Sequence, residues 1–405
     1  MARKTLKVLV LDEEIPLPTN TGKKTRSYNL LSRLSQAHEI YYLCFVDSPK
    51  QLAAAQKFER FSVKVVPSYK PKKPKSGVRF LSKVFLNLFS PLPFIVSQYY
   101  DSSFASKIGA VLREREFDII HCEISPLAIY LDHINKLPSV IGCHNVEAEI
   151  WYRYYDVERN PLKKLYCYLE FKKVLRFEKH YLTKGRYCVA VTERDKNYLR
   201  KNYHIEKVEV VPNGVDTDFF SPKKVSVDQS SIVFTGSMDW RPNQDAVRYF
   251  LESIWPILKA KVPELKFTIV GRNPPLWIQT MASKIRDVRV TGTVSDVRPY
   301  LWQSAVAIVP LRIGGGSRLK ILEAMACGKA LVSTKIGAEG LDVQHNSNIL
   351  LADTPQDFAR SVVTLLSNLQ KRKELECKGR ELVVKKYSWE SLAPSLERVW
   401  LKAVN

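Results

Sequence analysis

Between residues 310 and 329 the chain reads Pro-Leu-Arg-Ile-Gly-Gly-Gly-Ser-Arg-Leu-Lys-Ile-Leu-Glu-Ala-Met-Ala-Cys-Gly-Lys. An apolar run, Ala305 to Val309, precedes it, and a helical pattern from Ser317 to Ala326 stops at Cys327-Gly328. Strand, glycine loop and helix N-terminus in that order suit phosphate oxygens. Glycines let the backbone approach an anion, and the first N–H groups of the helix point at it. Arg318 and Lys320 add charge at an end where cations oppose the helix dipole, a conflict that a bound anion relieves. Glu323 shares a helical face with Lys320, one turn further on, where a carboxylate can accept hydrogen bonds from ribose hydroxyls. The same residues also fit a glycine turn before a buried helix, with Glu323 paired to Arg318 or Lys320. The clustering of such groups favours the ligand.

A chain of 405 residues exceeds what one core usually supports, so two domains are expected. Its net charge of +22 suits a nucleic acid, an anionic membrane or an anionic small substrate. Seven cysteines without C-x-x-C spacing point to free thiols in a reducing compartment. The apolar run Val8 to Leu11 is too short for a signal peptide, and no uninterrupted apolar run is long enough to span a membrane. A cytoplasmic location is therefore expected.

Short apolar runs alternate with helical patterns along the chain. Strands are expected at Val8–Leu11, Glu39–Phe45, Val63–Val66, Phe117–Cys122, Ser139–Cys143, Tyr187–Val191 and Val208–Val211. A second series follows at Ser231–Thr235, Lys266–Val270, Val288–Thr291, Ala305–Val309 and Leu331–Thr334. Such alternation predicts parallel sheets with ligands at the carboxyl ends of the strands. His144 stands directly after one such strand, where a binding role and a structural role are both open. The loop Pro16–Gly22 leads into a helix but lacks the G-x-G-x-x-G dinucleotide fingerprint, which weakens a dehydrogenase reading. Asn160-Pro161 opens a long basic helix carrying Leu162, Leu165, Tyr166 and Leu169 on one face. Pro212-Asn213-Gly214 supplies turn formers for an interdomain hinge.

Glu323-Ala-Met-Ala-Cys-Gly328 resembles the second half of the signature of the retaining glycosyltransferases of family 4. Val211-Pro-Asn-Gly-Val-Asp-Thr-Asp-Phe-Phe220 is similar to their interdomain sequence. The resemblance implies the GT-B fold: two Rossmann-like, doubly wound α/β domains with parallel sheets facing a cleft. It implies an acceptor-binding domain over 1–212, a nucleotide-sugar-binding domain over 213–388, and a C-terminal helix, 389–405, crossing back. The family's first signature glutamate falls on Gly315, in a Gly-Gly-Gly-Ser-Arg-Leu-Lys variant that looks like a subgroup pattern. Ser237 stands where most members carry a pyrophosphate-binding arginine, and no lysine follows, so Arg241, Arg318 and Lys320 are the candidates to replace that charge.

By the same resemblance, His144 lies near the donor sugar, and Gly22, Lys23 and Arg26 belong to a glycine loop facing the cleft. As bare residues, Lys23 and Arg26 equally suit a solvated helix. Gly236, Arg272, Gly315, Gly316, Ser317 and Leu319 are assigned to the donor, with Gly292 and Val294 packing on its base. His144, Arg318, Lys320 and Glu323 are assigned to the chemistry.

The activity so implied is transfer of a sugar, with retention, from a nucleoside diphosphate to a saccharide or lipid-linked acceptor, in cell-surface or extracellular polysaccharide or glycolipid synthesis. No His/Asp cluster has metal-ligand spacing, so neither cofactor nor metal is expected. A sugar-nucleotide 2-epimerase of similar fold is the nearest alternative. A nucleic-acid binder is more remote, because the basic residues lack aromatic interleaving or a helix–turn–helix pattern. Finally, Lys70, Lys72, Lys73, Lys75, Arg79 and Lys83 adjoin Phe80, Leu81, Val84, Phe85, Leu88 and Phe89 at helical spacing. A basic segment beside an apolar helical face predicts peripheral attachment to the anionic cytoplasmic face of a membrane.

Overall fold

The computed structural model describes residues 4–61, 63–70, 77–134, 137–313 and 319–405. The chain forms two compact units, one of residues 1–212 with 392–405 and one of residues 213–391.

In the first unit seven parallel strands run β1 (Lys7–Asp12), β2 (Glu39–Val46), β3 (Val63–Tyr69), β4 (Ile119–Cys122), β5 (Ser139–Cys143), β6 (Tyr187–Ala190) and β7 (Val208–Val210). Their spatial order is β3-β2-β1-β4-β5-β6-β7. Leu9 of β1 is registered with Tyr41 on one side and Ile120 on the other. Helices cover the sheet, so central strands are buried along nearly their whole length and appear in the sequence as continuous apolar runs rather than alternations. Leu9, Leu43, Ile120, Ile141 and Cys188 from the strands meet Phe104 and Ile108 of the helix Ser102–Glu114 in its core.

The second unit repeats the plan with β8 (Asp228–Thr235), β9 (Lys266–Val270), β10 (Val288–Val290), β11 (Ser304–Val309), β12 (Leu331–Ser333) and β13 (Leu350–Leu351). Its order is β10-β9-β8-β11-β12-β13, again all parallel. Phe234, Phe250, Phe267, Ile308, Val332 and Phe358 fill its core. In each sheet the first strand lies between the second and the fourth, and the chain reverses its winding there. The crevice at the carboxyl ends of those two strands is where open α/β sheets bind ligands.

The C-terminal helix spans Trp389–Val404, and its residues from Leu392 onward belong to the first unit. Two buried polar contacts secure it there. His38 Nδ1 accepts from the Leu6 amide at 3.1 Å, so Nε2 carries the proton that faces Glu397 Oε1 at 3.0 Å. Trp400, fully buried, donates from Nε1 to His121 Nδ1 at 3.4 Å.

Between β4 and β5 the chain forms a 3-10 run, Ser125–His133. In the long basic helix, Pro161–Tyr181, the face bearing Leu162, Leu165, Tyr166 and Leu169 is only partly packed: Leu162 and Leu165 are 79% and 56% exposed. Of that face Tyr166 packs on Trp151, while Tyr168 and Phe171 pack on Tyr155 and Tyr152 of the helix Glu147–Val157. Only the second half, through Glu170, Val174, Phe177 and Glu178, reaches the core. Edge and tilted aromatic contacts between the two helices accompany this orientation, and helical periodicity alone cannot register them.

Candidate functional site

In the second unit the reversal point lies between β8 and β11, and the 310–329 stretch begins where β11 ends. Gly315, Gly316, Ser317 and Arg318 lie outside the described residues; the helix is described over Leu319–Ala326. Leu319, half-buried, packs its side chain on the core. Lys320 Nζ donates to Asn243 Oδ1 at 2.6 Å and lies 4.2 Å from the centroid of the Phe234 ring. Asn243 Nδ2 in turn donates to the Ser237 carbonyl at 2.8 Å. Gly236, just past β8, lies under both: a Cβ there would meet Asn243 Nδ2 and Lys320 Nζ at 2.8 Å. One asparagine therefore joins the loop after β8 to the helix after β11.

Glu323, one turn beyond Lys320, is half-buried, and among the described residues none donates a hydrogen bond to it. Burial pushes its carboxyl up to about 7, with Lys320 opposing. When ionised, the carboxyl has its full acceptor capacity for hydroxyl groups.

The loop after β9 closes against the loop after β8. Gly271 comes so near that a Cβ would sit 1.7 Å from the Gly236 carbonyl oxygen, so only glycine fits. Arg272 Nε donates to Ser237 Oγ at 2.7 Å and lies 3.7 Å from Asp239. Arg241 is not gathered in: it opens the helix Arg241–Tyr249 with its side chain exposed. Asn243, two residues on and buried, holds the inward position. Pro242 sets the helix start, so rotation along the first turn turns residue 243 inward. An asparagine inside a helix, where it is disfavoured, was the available signal. At the end of β10, Gly292 has a φ of 72° with nothing within 4 Å of a Cβ position, and Val294 packs its side chain on the core.

In the first unit the reversal point lies between β1 and β4. Gly22 opens the helix Gly22–Leu34, capped by Thr21. Lys23 is paired with Asp12, at the end of β1, and lies 3.6 Å from Glu13. Burial works against its charge, and the carboxylates more than offset this, holding it above the ordinary lysine value. Arg26 is buried and donates to the Pro212 carbonyl at 2.6 Å. Neither residue is the solvated helix cation that the sequence left open. Burial pushes Asp12 up to about 6, against the pull of Lys23.

His144 follows β5 and faces a residue that sequence reasoning missed. Its Nε2 lies 3.6 Å from Glu123 Oε1. Glu123, directly after β4, is buried; Ser27 Oγ donates to Oε1 at 2.7 Å, and His121 Nε2 lies 3.2 Å from Oε2. Burial opposes its charge, but the donors dominate and hold the carboxyl well below the usual range. His144 is held below its ordinary value, by burial first and then by Arg26 and Lys23. A carboxylate ending a strand of a parallel sheet was the available clue.

Residues 229–368 match the family model of group 1 glycosyl transferases, and residues 22–219 match that of glycosyltransferase family 4. The chain is a group 1 glycosyltransferase with the GT-B fold. This transferase is 20% identical over 403 residues to an uncharacterized 44.6 kDa protein in the cps region of Klebsiella pneumoniae, covering 96% of this chain and 98% of that one. It is 24% identical over 254 residues to the UDP-Gal:alpha-D-GlcNAc-diphosphoundecaprenol alpha-1,3-galactosyltransferase of Escherichia coli, a match covering 58% of this chain and 62% of the bacterial enzyme. Among solved structures it is similar to Anabaena HepE in complex with UDP and glucose, with a TM-score of 0.66, 14% identity and coverage of 97% and 98%.

One further surface of the transferase stands out. The helix Val78–Leu88 leaves Leu81, Phe85 and Leu86 60–67% exposed, and Phe89 just beyond it 78% exposed. Lys173 donates to the Asn87 carbonyl at 2.6 Å, which brings the basic helix Pro161–Tyr181 alongside. Lys83 is exposed, but Lys70 is not part of the set: it donates to the Gln98 carbonyl at 3.0 Å and lies 4.2 Å from the Phe45 ring centroid. Lys72, Lys73 and Lys75 lie outside the described residues. Among the described residues no helix is long and apolar enough to cross a membrane.

Proposed function

We propose that the transferase moves a sugar, with retention, from a nucleoside diphosphate onto a hydroxyl of a saccharide or lipid-linked acceptor, in cell-surface or extracellular polysaccharide or glycolipid synthesis. The observation that carries the donor reading is the Lys320–Asn243 contact at 2.6 Å, which sets a cation at the reversal point of the second sheet, one turn from the Glu323 carboxyl.

In this reading the second unit holds the donor. Glu323 accepts from the ribose hydroxyls, and the diphosphate lies against Gly236, Gly315, Gly316, Ser317, Arg318, Leu319 and Lys320, with Arg272 nearby. Gly292 and Val294 meet the base. As the glycosidic bond breaks, negative charge grows on the departing diphosphate. Lys320, Arg318 and the N–H groups opening the helix stabilise that charge. Charge-assisted hydrogen bonds contribute roughly 1.5–3 kcal/mol each, so two or three supply several powers of ten in rate. Side-chain neutralisation of the phosphates makes the reaction independent of metal and cofactor. The acceptor belongs to the first unit, where His144 is assigned to the transferring sugar. Exposed Leu81, Phe85, Leu86 and Phe89 beside cations support peripheral membrane attachment on the cytoplasmic face. The name of the Escherichia coli relative specifies a diphosphoundecaprenol-linked sugar, which suits a lipid-linked acceptor here.

A screen of sugar nucleotides for thermal stabilisation identifies the donor, because a ligand binding only the native state raises the melting temperature. Product analysis then follows, with and without acceptor lipids. Sugar transfer dependent on an acceptor supports the reading. Interconversion of the sugar nucleotide without acceptor identifies an epimerase instead, and no stabilisation by any sugar nucleotide refutes it.

A further inference from the structure

We infer that Glu123 is the positioning residue of His144, braced from the C-terminal helix by Trp400 acting through His121. The inference rests on the transferase reading only for its kinetic consequence.

The polarity of the chain of contacts is fixed at one end. An indole N–H only donates, so His121 Nδ1 must accept from Trp400 Nε1 at 3.4 Å. A neutral His121 then carries its proton on Nε2, which faces Glu123 Oε2 at 3.2 Å. Ser27 Oγ, from the helix Gly22–Leu34, donates to the other oxygen at 2.7 Å. Both carboxylate oxygens therefore act as acceptors, and a carboxylate 3.6 Å from His144 Nε2 favours the proton on that nitrogen. In that tautomer Nδ1 of His144 is the acceptor.

The backbone fixes the same pair independently. Gly142 on β5 lies two residues before His144, and a Cβ there would stand 2.3 Å from the carbonyl oxygen of Glu123. No side chain separates the ends of β4 and β5, so the carboxylate and the imidazole are held at short range. The C-terminal helix adds its ring: Trp400 meets His121 and His38 edge to face at 5.8 Å.

The test uses the full chain and begins without substrate. The His144 ring is followed by NMR through pH, its signal assigned by loss in His144→Ala. Arg26 and Lys23 face the ring, Asp12 and Tyr42 approach Glu123 from β1 and β2, and His121 bonds it; none of these changes in the variants. Glu123→Gln removes the negative partner, so the His144 titration moves down by about one unit. Ser27→Ala removes a donor competing for the same oxygen, so it moves up. Opposite displacements support the inference. An unmoved titration in a folded Glu123→Gln overturns it; should that variant not fold, an unmoved titration in Ser27→Ala does so.

Kinetics with the identified donor come second. Glu123→Gln and Trp400→Phe lower kcat, by about ten-fold or more in the first, while the donor KM stays within about two-fold. The acidic limb of kcat against pH moves down in Glu123→Gln, and Glu123→Asp restores part of both effects. A general loss of packing would lower the melting temperature without moving that limb. Displaced titrations in a protein that transfers no sugar would leave the positioning intact and remove the transferase reading instead.

Discussion

Lys320 and Asn243 meet at 2.6 Å across the reversal point of the second sheet. One sits on the helix after β11 and the other on the helix after β8, so the contact joins the two loops between which such sheets bind ligands. The buried asparagine holds the ammonium at Gly236 without adding a negative charge of its own. A carboxylate at position 243 would have opposed the positive charge of the site.

Lys320→Ala and Glu323→Ala should therefore fail in different ways. Phosphate contacts strengthen as charge develops, whereas ribose contacts are equal in ground and transition states. Steady-state kinetics should show Lys320→Ala losing kcat by about ten- to a hundred-fold, as expected for one charge-assisted contact. Glu323→Ala should raise the donor KM with kcat little changed. Unaltered kinetics in both would remove the donor assignment.

The raised Glu323 pKa makes donor affinity depend on pH. An ionised carboxyl accepts two hydroxyls and a protonated one fewer, so titration calorimetry should show donor binding tightening as pH rises through about 7. Stability runs the other way. The folded group keeps its proton where the unfolded one, at 4.5, has released it, so this contribution to stability is lost as pH rises from 4.5 towards about 7. The whole effect is at most about 3 kcal/mol. Glu323→Gln should flatten both profiles. A wild-type affinity independent of pH over this range would contradict the placement.

His144→Ala should cut transfer strongly while the melting temperature and nucleotide affinity stay near those of the wild type. The ring lies at a strand end, and 15% of its side chain is exposed. A collapse of the melting temperature would show that its role is structural.

Two glycines separate close approach from backbone conformation. Gly271→Ala drives a Cβ into the Gly236 carbonyl and should cost about 2–4 kcal/mol in urea denaturation of the second unit, with donor binding weakened. Gly292→Ala meets nothing within 4 Å and should cost only about 1 kcal/mol for its positive φ. Equal losses in the two variants would contradict the packing of the loops after β8 and β9.

Sedimentation with vesicles tests the surface around helix Val78–Leu88. The protein should bind vesicles containing anionic lipid at low salt and release as salt screens the charges. Lys72, Lys73 and Lys75 changed together to glutamine should weaken binding, whereas Lys70→Gln should act mainly on stability because its ammonium bonds the Gln98 carbonyl. Equal binding to neutral vesicles, or none, would contradict attachment through charge.

The sequence by itself determined the sheet-forming runs, their alternation with helices, and the glycine loop before Glu323. Buried parallel strands are apolar throughout, and glycine and proline punctuate them, so this information is local. It also placed His144 at a strand end, because the residue after an apolar run is simply the next letter. What only the tertiary structure decided is which side chains meet. Glu123 and His144 are joined through adjacent strands, and Trp400 reaches the same cluster from far along the chain. Lys23 and Arg26 have the letters of surface cations, yet Asp12, Glu13 and the Pro212 carbonyl enclose them. Asn243 rather than Arg241 faces Lys320 because a helix turns about 100° per residue. A side chain's charge is written in its letter, whereas its partner depends on strand order, helix rotation and loop contacts that no short stretch encodes.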